Sequence, residues 1–249
     1  MSGHSKWATI KHKKGAADAK RGKLFAKLIR QVEVAARNGG GDPDMNPTLR
    51  TMYQKARDAS VPLDTIERAI KRGTGELEGV SYEEVTYEGY ATGGVALIVE
   101  ALTDNRNRTG SDVRSTFTKQ GGSMAEPGAV AWQFERKGMV LVPSAADEDE
   151  VMMAALDAGA EDLSDGGEFW NITCDPSDTE AVRAALTDAG FEVESSDLTM
   201  VPTSTVPVTA ADEAKPVFRL IDSLEDLDDV QNVYTNADFD DEVLAALED

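Results

Sequence analysis

The first 21 residues concentrate side chains that bind phosphate. Lys and Arg hold the phosphate oxygens of nucleic acids, and each contact releases counterions. The segment has a single acid, Asp18, and little apolar periodicity, which predicts a flexible basic arm. Trp7 and His12 offer rings that could stack on a base, although packing of Trp7 on the protein body is at least as good an interpretation. The cations of the arm are Lys6, Lys11, Lys13, Lys14, Lys20 and Arg21.

A second basic group lies on a predicted short helix near residue 70. Arg68, Lys71 and Arg72 are spaced to share one side of that helix, as expected for a helix that lies along or in a nucleic-acid groove. An ordinary solvated helix face is the alternative. The helix carries no Asn or Gln pair of the kind that reads base edges, so nothing predicts sequence specificity.

A third basic group is the loop at residues 104–109. Arg106 and Arg108 alternate with asparagines in an otherwise acidic region. They could contact phosphate, or they could pair with the nearby Asp104 and Asp112, and the sequence leaves both interpretations open.

No residue pattern indicates catalysis or metal binding. Both His residues lie in the basic arm, and the single Cys174 lies in the apolar stretch FWNITC. The chain contains no G-x-S-x-G, H-E-x-x-H or C-x-x-C motif and no calcium-loop spacing. We therefore predict no catalytic residue, no metal site and no cofactor, and we expect a protein that is not an enzyme.

Charge is distributed unevenly along the chain. The formal net charge is −21, but residues 1–75 hold 16 of the 25 Lys and Arg residues and only seven acids, which gives this part +9 and the remainder −30. Such asymmetry indicates a polyanion-binding segment attached to an acidic body. The alternative is that the acids of the body pair with the basic segment intramolecularly.

The sequence also predicts the cellular compartment of the protein. It contains no run of about 18 apolar residues and no apolar core of a secretory signal, so we expect a cytoplasmic protein without a membrane partner. A mitochondrial transit segment is the competing interpretation of the basic N-terminus. The oligomeric state is not indicated.

Periodicity predicts an α+β protein of three domains. Apolar residues recur at helical spacing in three segments between 22 and 75, and strand-like alternation begins after Gly79. Lys137-Gly138 is predicted to turn a hairpin, and FWNIT and FEVES are predicted strands in a ferredoxin-like β-α-β repeat. The predicted units are a basic arm (1–21), a three-helix domain (22–79), a discontinuous α/β domain (80–128 with 205–249) and an inserted ferredoxin-like α/β domain (129–204).

Five long segments together resemble one family. The chain is similar to the YebC/PmpR family in GHSKWATIKHKK (3–14), DAKRGKLFAKLIR (18–30), DTIERAIKRGTG (64–75), VTYEGYATGGVALIVEALTDNRNRT (85–109) and LEDLDDVQNVYTN (224–236). The resemblance implies a helical domain followed by two α/β domains, and it implies DNA-binding transcriptional regulators. Relatives that include the mitochondrial translational activator of cytochrome oxidase act on the ribosome. The matched motifs carry over Lys6, Lys11, Lys13, Lys14, Arg21, Lys23, Arg68, Lys71 and Arg72 as nucleic-acid-binding residues.

Three functional hypotheses follow. A transcriptional regulator would bind duplex DNA, and a translation factor would bind ribosomal or transfer RNA through the same cations, with the ribosome as partner. An adaptor protein would instead use its acidic α/β body. The complete set of residues predicted to bind nucleic acid is Lys6, Trp7, Lys11, Lys13, Lys14, Arg21, Lys23, Arg68, Lys71, Arg72, Arg106 and Arg108.

Overall fold

The computed structural model describes residues 18–240 and 243, with side chains described from residue 22. The predicted site residues Lys6, Trp7, Lys11, Lys13 and Lys14 and the side chain of Arg21 lie outside the described residues. The α-helices of the described part are α1 Asp18–Gly39, α2 Pro47–Asp58, α3 Leu63–Gly73, α4 Arg106–Lys119, α5 Glu148–Leu156, α6 Thr179–Asp188 and α7 Ala211–Glu225. The strands are β1 Glu83–Tyr90, β2 Ala96–Thr103, β3 Ser123–Ala125, β4 Phe134–Pro143, β5 Ala160–Asp165, β6 Phe169–Cys174, β7 Ser195–Pro202, β8 Val206–Val208, β9 Val230–Thr235 and β10 Ala237–Phe239. The predicted α+β class is confirmed.

Helices α1, α2 and α3 pack around one apolar core, in which Val32, Leu49 and Ile66 are fully buried. Asn46 begins α2 because its side-chain oxygen accepts a hydrogen bond from the Leu49 amide, 3.1 Å away, and Pro47 tolerates the first helical position. The side-chain amide of Asn46 also donates to the Ala35 carbonyl, which ties α2 to the end of α1. The buried Asn46 therefore fixes the angle between the two helices.

The boundary predicted between arm and helix is wrong. Helix α1 begins at Asp18 and includes residues 18–21, which lie in the predicted arm. A negative residue such as Asp18 stabilises the N-terminal end of a helix, where the helix dipole is positive. Ala19, Lys20 and Arg21 are good helix formers. Gly22 is a helical residue and not a boundary, since an interior glycine costs only about 1 kcal/mol.

The first sheet has the strand order β3-β1-β2-β9, and every pair in it is antiparallel. Helices α4 and α7 cover one face, where Phe117, Leu220 and Ile221 are fully buried. Strand β9 lies at the edge beside β2, although some 125 residues separate the two along the chain. Segments distant in sequence therefore build this domain together.

The second four-stranded sheet follows the chain order β4-α5-β5-β6-α6-β7 and has the spatial order β5-β6-β4-β7, again antiparallel. This is the ferredoxin-like arrangement, which confirms that part of the predicted fold class. Helices α5 and α6 pack on one face over Val140, Val151, Ile172 and Val182.

Two strand predictions in this domain are wrong. Lys137-Gly138 does not form a hairpin but lies inside the continuous strand β4. Gly138 is required there by a close approach, because a Cβ atom at this position would lie 2.7 Å from the Cys174 sulfur and closer still to the Thr179 hydroxyl. The segment FEVES is mostly irregular, and the strand begins only at Ser195.

We predict that Gly138→Ala destabilises the protein by about 1–3 kcal/mol, because the added methyl group displaces the start of α6 from the sheet. Urea unfolding at neutral pH measures the change. Gly110→Ala is the matched control, since its new Cβ would lie 3.6 Å from the Tyr87 ring in ordinary contact. If Gly110→Ala lowered the free energy of unfolding as much as Gly138→Ala, the steric explanation would be contradicted.

Candidate nucleic-acid interface

Part of the basic face of α1 is directed inward, toward the C-terminal end of α7. The Lys23 ammonium donates to the carbonyl and carboxylate of Asp226 at 3.0 and 3.1 Å, and Lys27 donates to the Glu225 carbonyl at 2.9 Å. Free carbonyl groups give the C-terminal end of a helix a partial negative charge, so cations there are stabilising. Lys23, predicted to bind nucleic acid, therefore joins the helical domain to the α/β body.

Asp229 lies at the centre of this junction and is only 8% exposed. One carboxylate oxygen lies 3.1 Å from the Arg30 guanidinium of α1. The other accepts hydrogen bonds from the Arg108 guanidinium and the Thr109 hydroxyl of α4, both at 2.7 Å. One buried carboxylate thus connects the helical domain to the first α/β domain.

The pKa of Asp229 reflects this environment. Burial raises the pKa, but hydrogen bonds from Arg108 and Thr109 and the charges of Arg108 and Arg30 outweigh burial, so the pKa lies below its ordinary value. The carboxylate is ionised at neutral pH and holds both guanidinium groups.

The arginines of the predicted loop at 104–109 lie on the first turn of α4. Arg108 forms hydrogen bonds with Asp104 and Asp229, both at 2.7 Å, and Arg106 lies 3.7 Å from Glu83. Both arginines lie beside acids, two of which are distant in sequence, and Arg106 and Glu83 form an exposed pair of little strength. Phosphate contact by this loop stays a prediction. No sequence signal distinguishes Asp229 from the many exposed acids of the body.

The three cations predicted on the third helix have different environments. The Arg72 guanidinium donates to Glu33 of α1 at 2.8 Å, and Glu33 is 3% exposed. Arg68 is 67% exposed and lies 3.6 Å from Asp64, one turn away, in an exposed pair of little strength. Lys71 is exposed and unpaired within the described part of the chain. Only Arg68 and Lys71 are available to an external anion without breaking a buried contact.

Glu33 has a second arginine neighbour. Arg37 lies 3.5 Å from its other oxygen and donates to the Val80 carbonyl at 2.8 Å. Arg37 and Arg72 thus fasten the chain after α3 against α1, which sets the direction in which the chain leaves the helical domain.

The described residues present little that is reactive. Burial raises the pKa of the Cys174 thiol, so it stays protonated at neutral pH. In the described ranges, His, Cys, Asp and Glu side chains nowhere gather in threes that could hold a metal ion. No helix between residues 18 and 240 has the length and apolar character needed to cross a membrane.

Comparison with known proteins places the chain in a family. The model of the TACO1/YebC protein N-terminal domain matches residues 5–76, and the model of the TACO1/YebC second and third domain matches residues 82–237. The chain belongs to the TACO1/YebC family. The resemblance inferred from five sequence segments is therefore confirmed.

Relatives in this family match the chain over nearly its full length. A protein of Thermobifida fusca is 59% identical over 99% of this chain and 100% of its own, and one of Corynebacterium glutamicum is 56% identical over 100% and 99%. Each bears the name "Probable transcriptional regulatory protein". The crystal structure of a conserved hypothetical protein from Aquifex aeolicus has a TM-score of 0.83 and 48% identity, and the match covers 91% of this chain and 94% of that one.

We predict that Asp229→Asn lowers the free energy of unfolding by about 2 kcal/mol at neutral pH, because Arg30 and Arg108 lose a buried partner. Since the folded pKa is lowered, the carboxylate contributes stability above the unfolded pKa of about 3.9 and loses it as the pH falls through the folded value. Urea unfolding measured as a function of pH should therefore show that the difference in free energy of unfolding between wild type and variant becomes smaller in acid.

Asp226→Asn is the control for that substitution. Asp226 pairs with Lys23 in an exposed contact, so its loss should cost less than about 0.5 kcal/mol. Equal losses from the two substitutions would refute the central role of the Asp229 carboxylate.

We predict that two adjacent cations of α3 contribute differently to stability. Arg72→Gln should cost about 2 kcal/mol of stability because Glu33 keeps its charge in a buried position without its closest partner. Lys71→Gln removes the same charge one residue away and should leave the urea midpoint unchanged. If Lys71→Gln lowers the urea midpoint as much as Arg72→Gln, the division between inward and outward cations on α3 is wrong.

Proposed function

We propose that this chain is a nucleic-acid-binding regulatory protein that acts in transcription by holding the phosphate backbone of duplex DNA. The observation that carries the proposal is the +9 charge of residues 1–75 in a chain of net charge −21. A positive segment on an acidic body binds polyanions while the body repels them, which confines binding to one part of the surface. The name shared by its relatives supports a role in transcription.

The proposed contacts are cations of the basic arm and two cations of α3 whose side chains form no buried contact. They are the arm residues Lys6, Lys11, Lys13 and Lys14, joined by Arg21 at the start of α1 and by Arg68 and Lys71 on α3. Trp7 adds a ring that can stack on an exposed base. Lys23, Arg72 and Arg108 support the interface by holding it in position, because each has an acidic partner.

Backbone contacts position a protein on nucleic acid but carry no direct sequence information. Helix α3 contains no Asn or Gln to pair with an adenine edge, and its Arg72 is held by Glu33. We therefore propose recognition by charge and shape. The proposed role involves no catalysis and is carried out in the cytoplasm.

A second candidate is a ribosome-associated translation factor that binds structured RNA. The same absence of Asn and Gln on α3 favours it, because double-stranded RNA is recognised mainly through shape and backbone. A competition at physiological salt between a promoter duplex and intact ribosomes separates the two. Preference for ribosomes would replace the transcriptional role, and preference for the duplex would support it.

We predict that Lys13→Gln and Lys14→Gln each weaken binding to unrelated duplexes alike. Each should lower the slope of log K against log salt by about 1, because one phosphate contact is lost. Fluorescence anisotropy at several salt concentrations measures the slope. Lys137→Gln removes the same charge from the ferredoxin-like domain, where Lys137 pairs with Glu161, and should leave the slope unchanged. Unaltered slopes for the arm variants would contradict the role of the arm.

A further inference from the structure

The few cations of the acidic body are concentrated on two helices. Nine Lys and Arg residues follow residue 75, and six of them lie on α4 and α7, although these helices span only 14 and 15 residues. The six are Arg106, Arg108, Arg114, Lys119, Lys215 and Arg219. Both helices cover the same face of the first sheet, so these cations share one outer layer of the protein.

Four of the six are available for binding. Arg114, Lys119, Lys215 and Arg219 are exposed, and none of these side chains forms an ion pair or hydrogen bond with any described residue. Arg106 and Arg108, in contrast, are paired with acids. Each phosphate that such an exposed cation contacts releases condensed counterions, which favours binding.

Contacts between the helices bring two of these cations to the seam between them. The Gln120 side chain, just after α4, donates to the Ser223 hydroxyl of α7 at 3.0 Å. Lys119 precedes Gln120, and Arg219 lies one helical turn before Ser223. Lys215 lies one turn N-terminal to Arg219, on the same side of α7.

Acids are present in this layer but do not dominate it. The two helices carry Asp112, Asp212, Glu213, Asp222 and Glu225 against their six cations, a net charge of +1. The other residues after position 75 carry a net charge of −31. The α4–α7 layer is therefore the part of the body least repulsive to a phosphate backbone.

The described chain begins near this layer. Lys23 of α1 contacts Asp226, directly after α7. Residue 18, where the described chain begins, is five residues from that contact, about 8 Å along the helix. Helix α1 thus begins near the C-terminal end of α7, on the domain that carries the four exposed cations.

We propose that the outer face of α4 and α7 is a second phosphate-binding surface, formed by Arg114, Lys119, Lys215 and Arg219, which contacts the same nucleic acid as the arm. The inference rests on the proposed function, because it adds a contact to that interface. Two linked weak contacts bind one polyanion more tightly than either alone, since the second forms at high effective concentration.

The test compares two double variants of the full chain that remove equal charge. Lys119→Gln with Arg219→Gln removes two cations from the proposed surface, and Arg136→Gln with Lys137→Gln removes two from β4 of the ferredoxin-like domain. Binding to a DNA duplex and to an RNA duplex of the same sequence is measured across a salt series. The α4–α7 variant should lower the slope of log K against log salt by about 2 on the nucleic acid that is bound, and the β4 variant should leave it unchanged.

The outcomes separate this inference from the proposed function. Urea midpoints should match wild type, since both α4–α7 substitutions are at exposed positions. A slope that falls for the α4–α7 variant and not for the β4 variant supports the second surface. The duplex on which the slope falls identifies DNA or RNA as the ligand. If only the arm variants Lys13→Gln and Lys14→Gln lower the slope, the second surface is wrong and the proposed function stands. If wild type binds neither duplex, both fail.

Discussion

The arrangement of the domains depends on one buried carboxylate. Asp229 accepts hydrogen bonds from α4 and pairs with Arg30 of α1, so it is the buried acid shared by the helical domain and the first α/β domain. A buried charge without partners would be costly, which makes each partner necessary to the others. Asp229 immediately precedes β9, so the contact forms only when that late strand has joined the sheet.

This junction determines how the charge of the N-terminal region is used. Lys23, Lys27 and Arg30 face the end of α7, and Arg72 faces Glu33, so part of the +9 charge stabilises the fold. Intramolecular pairing, which composition leaves as an alternative to polyanion binding, therefore accounts for these four cations. The inward cations hold the helical domain in place and the remainder are proposed to contact phosphate.

Local patterns in the sequence predict the helices and the ferredoxin-like domain well, because helical periodicity and the cap at Asn46 depend on neighbouring residues. The wrong hairpin prediction depends on a distant one. Gly138 indicates a turn locally, yet it is a glycine because α6 packs on its strand. Arg72 and Arg108 resemble surface cations until folding brings Glu33 and Asp229 beside them. Cation clusters are visible in a sequence, but their buried partners are not.

The central claim is that binding depends on phosphate contacts from the N-terminal basic segment and not on base reading. It is tested most directly by the affinity for a promoter duplex and for a scrambled duplex of equal length, measured with the full chain and with a form lacking residues 1–17. We predict affinities within about tenfold for the two duplexes and a large loss on both when the segment is removed. A preference of about a thousandfold for one duplex, or an unchanged affinity without residues 1–17, would contradict the claim.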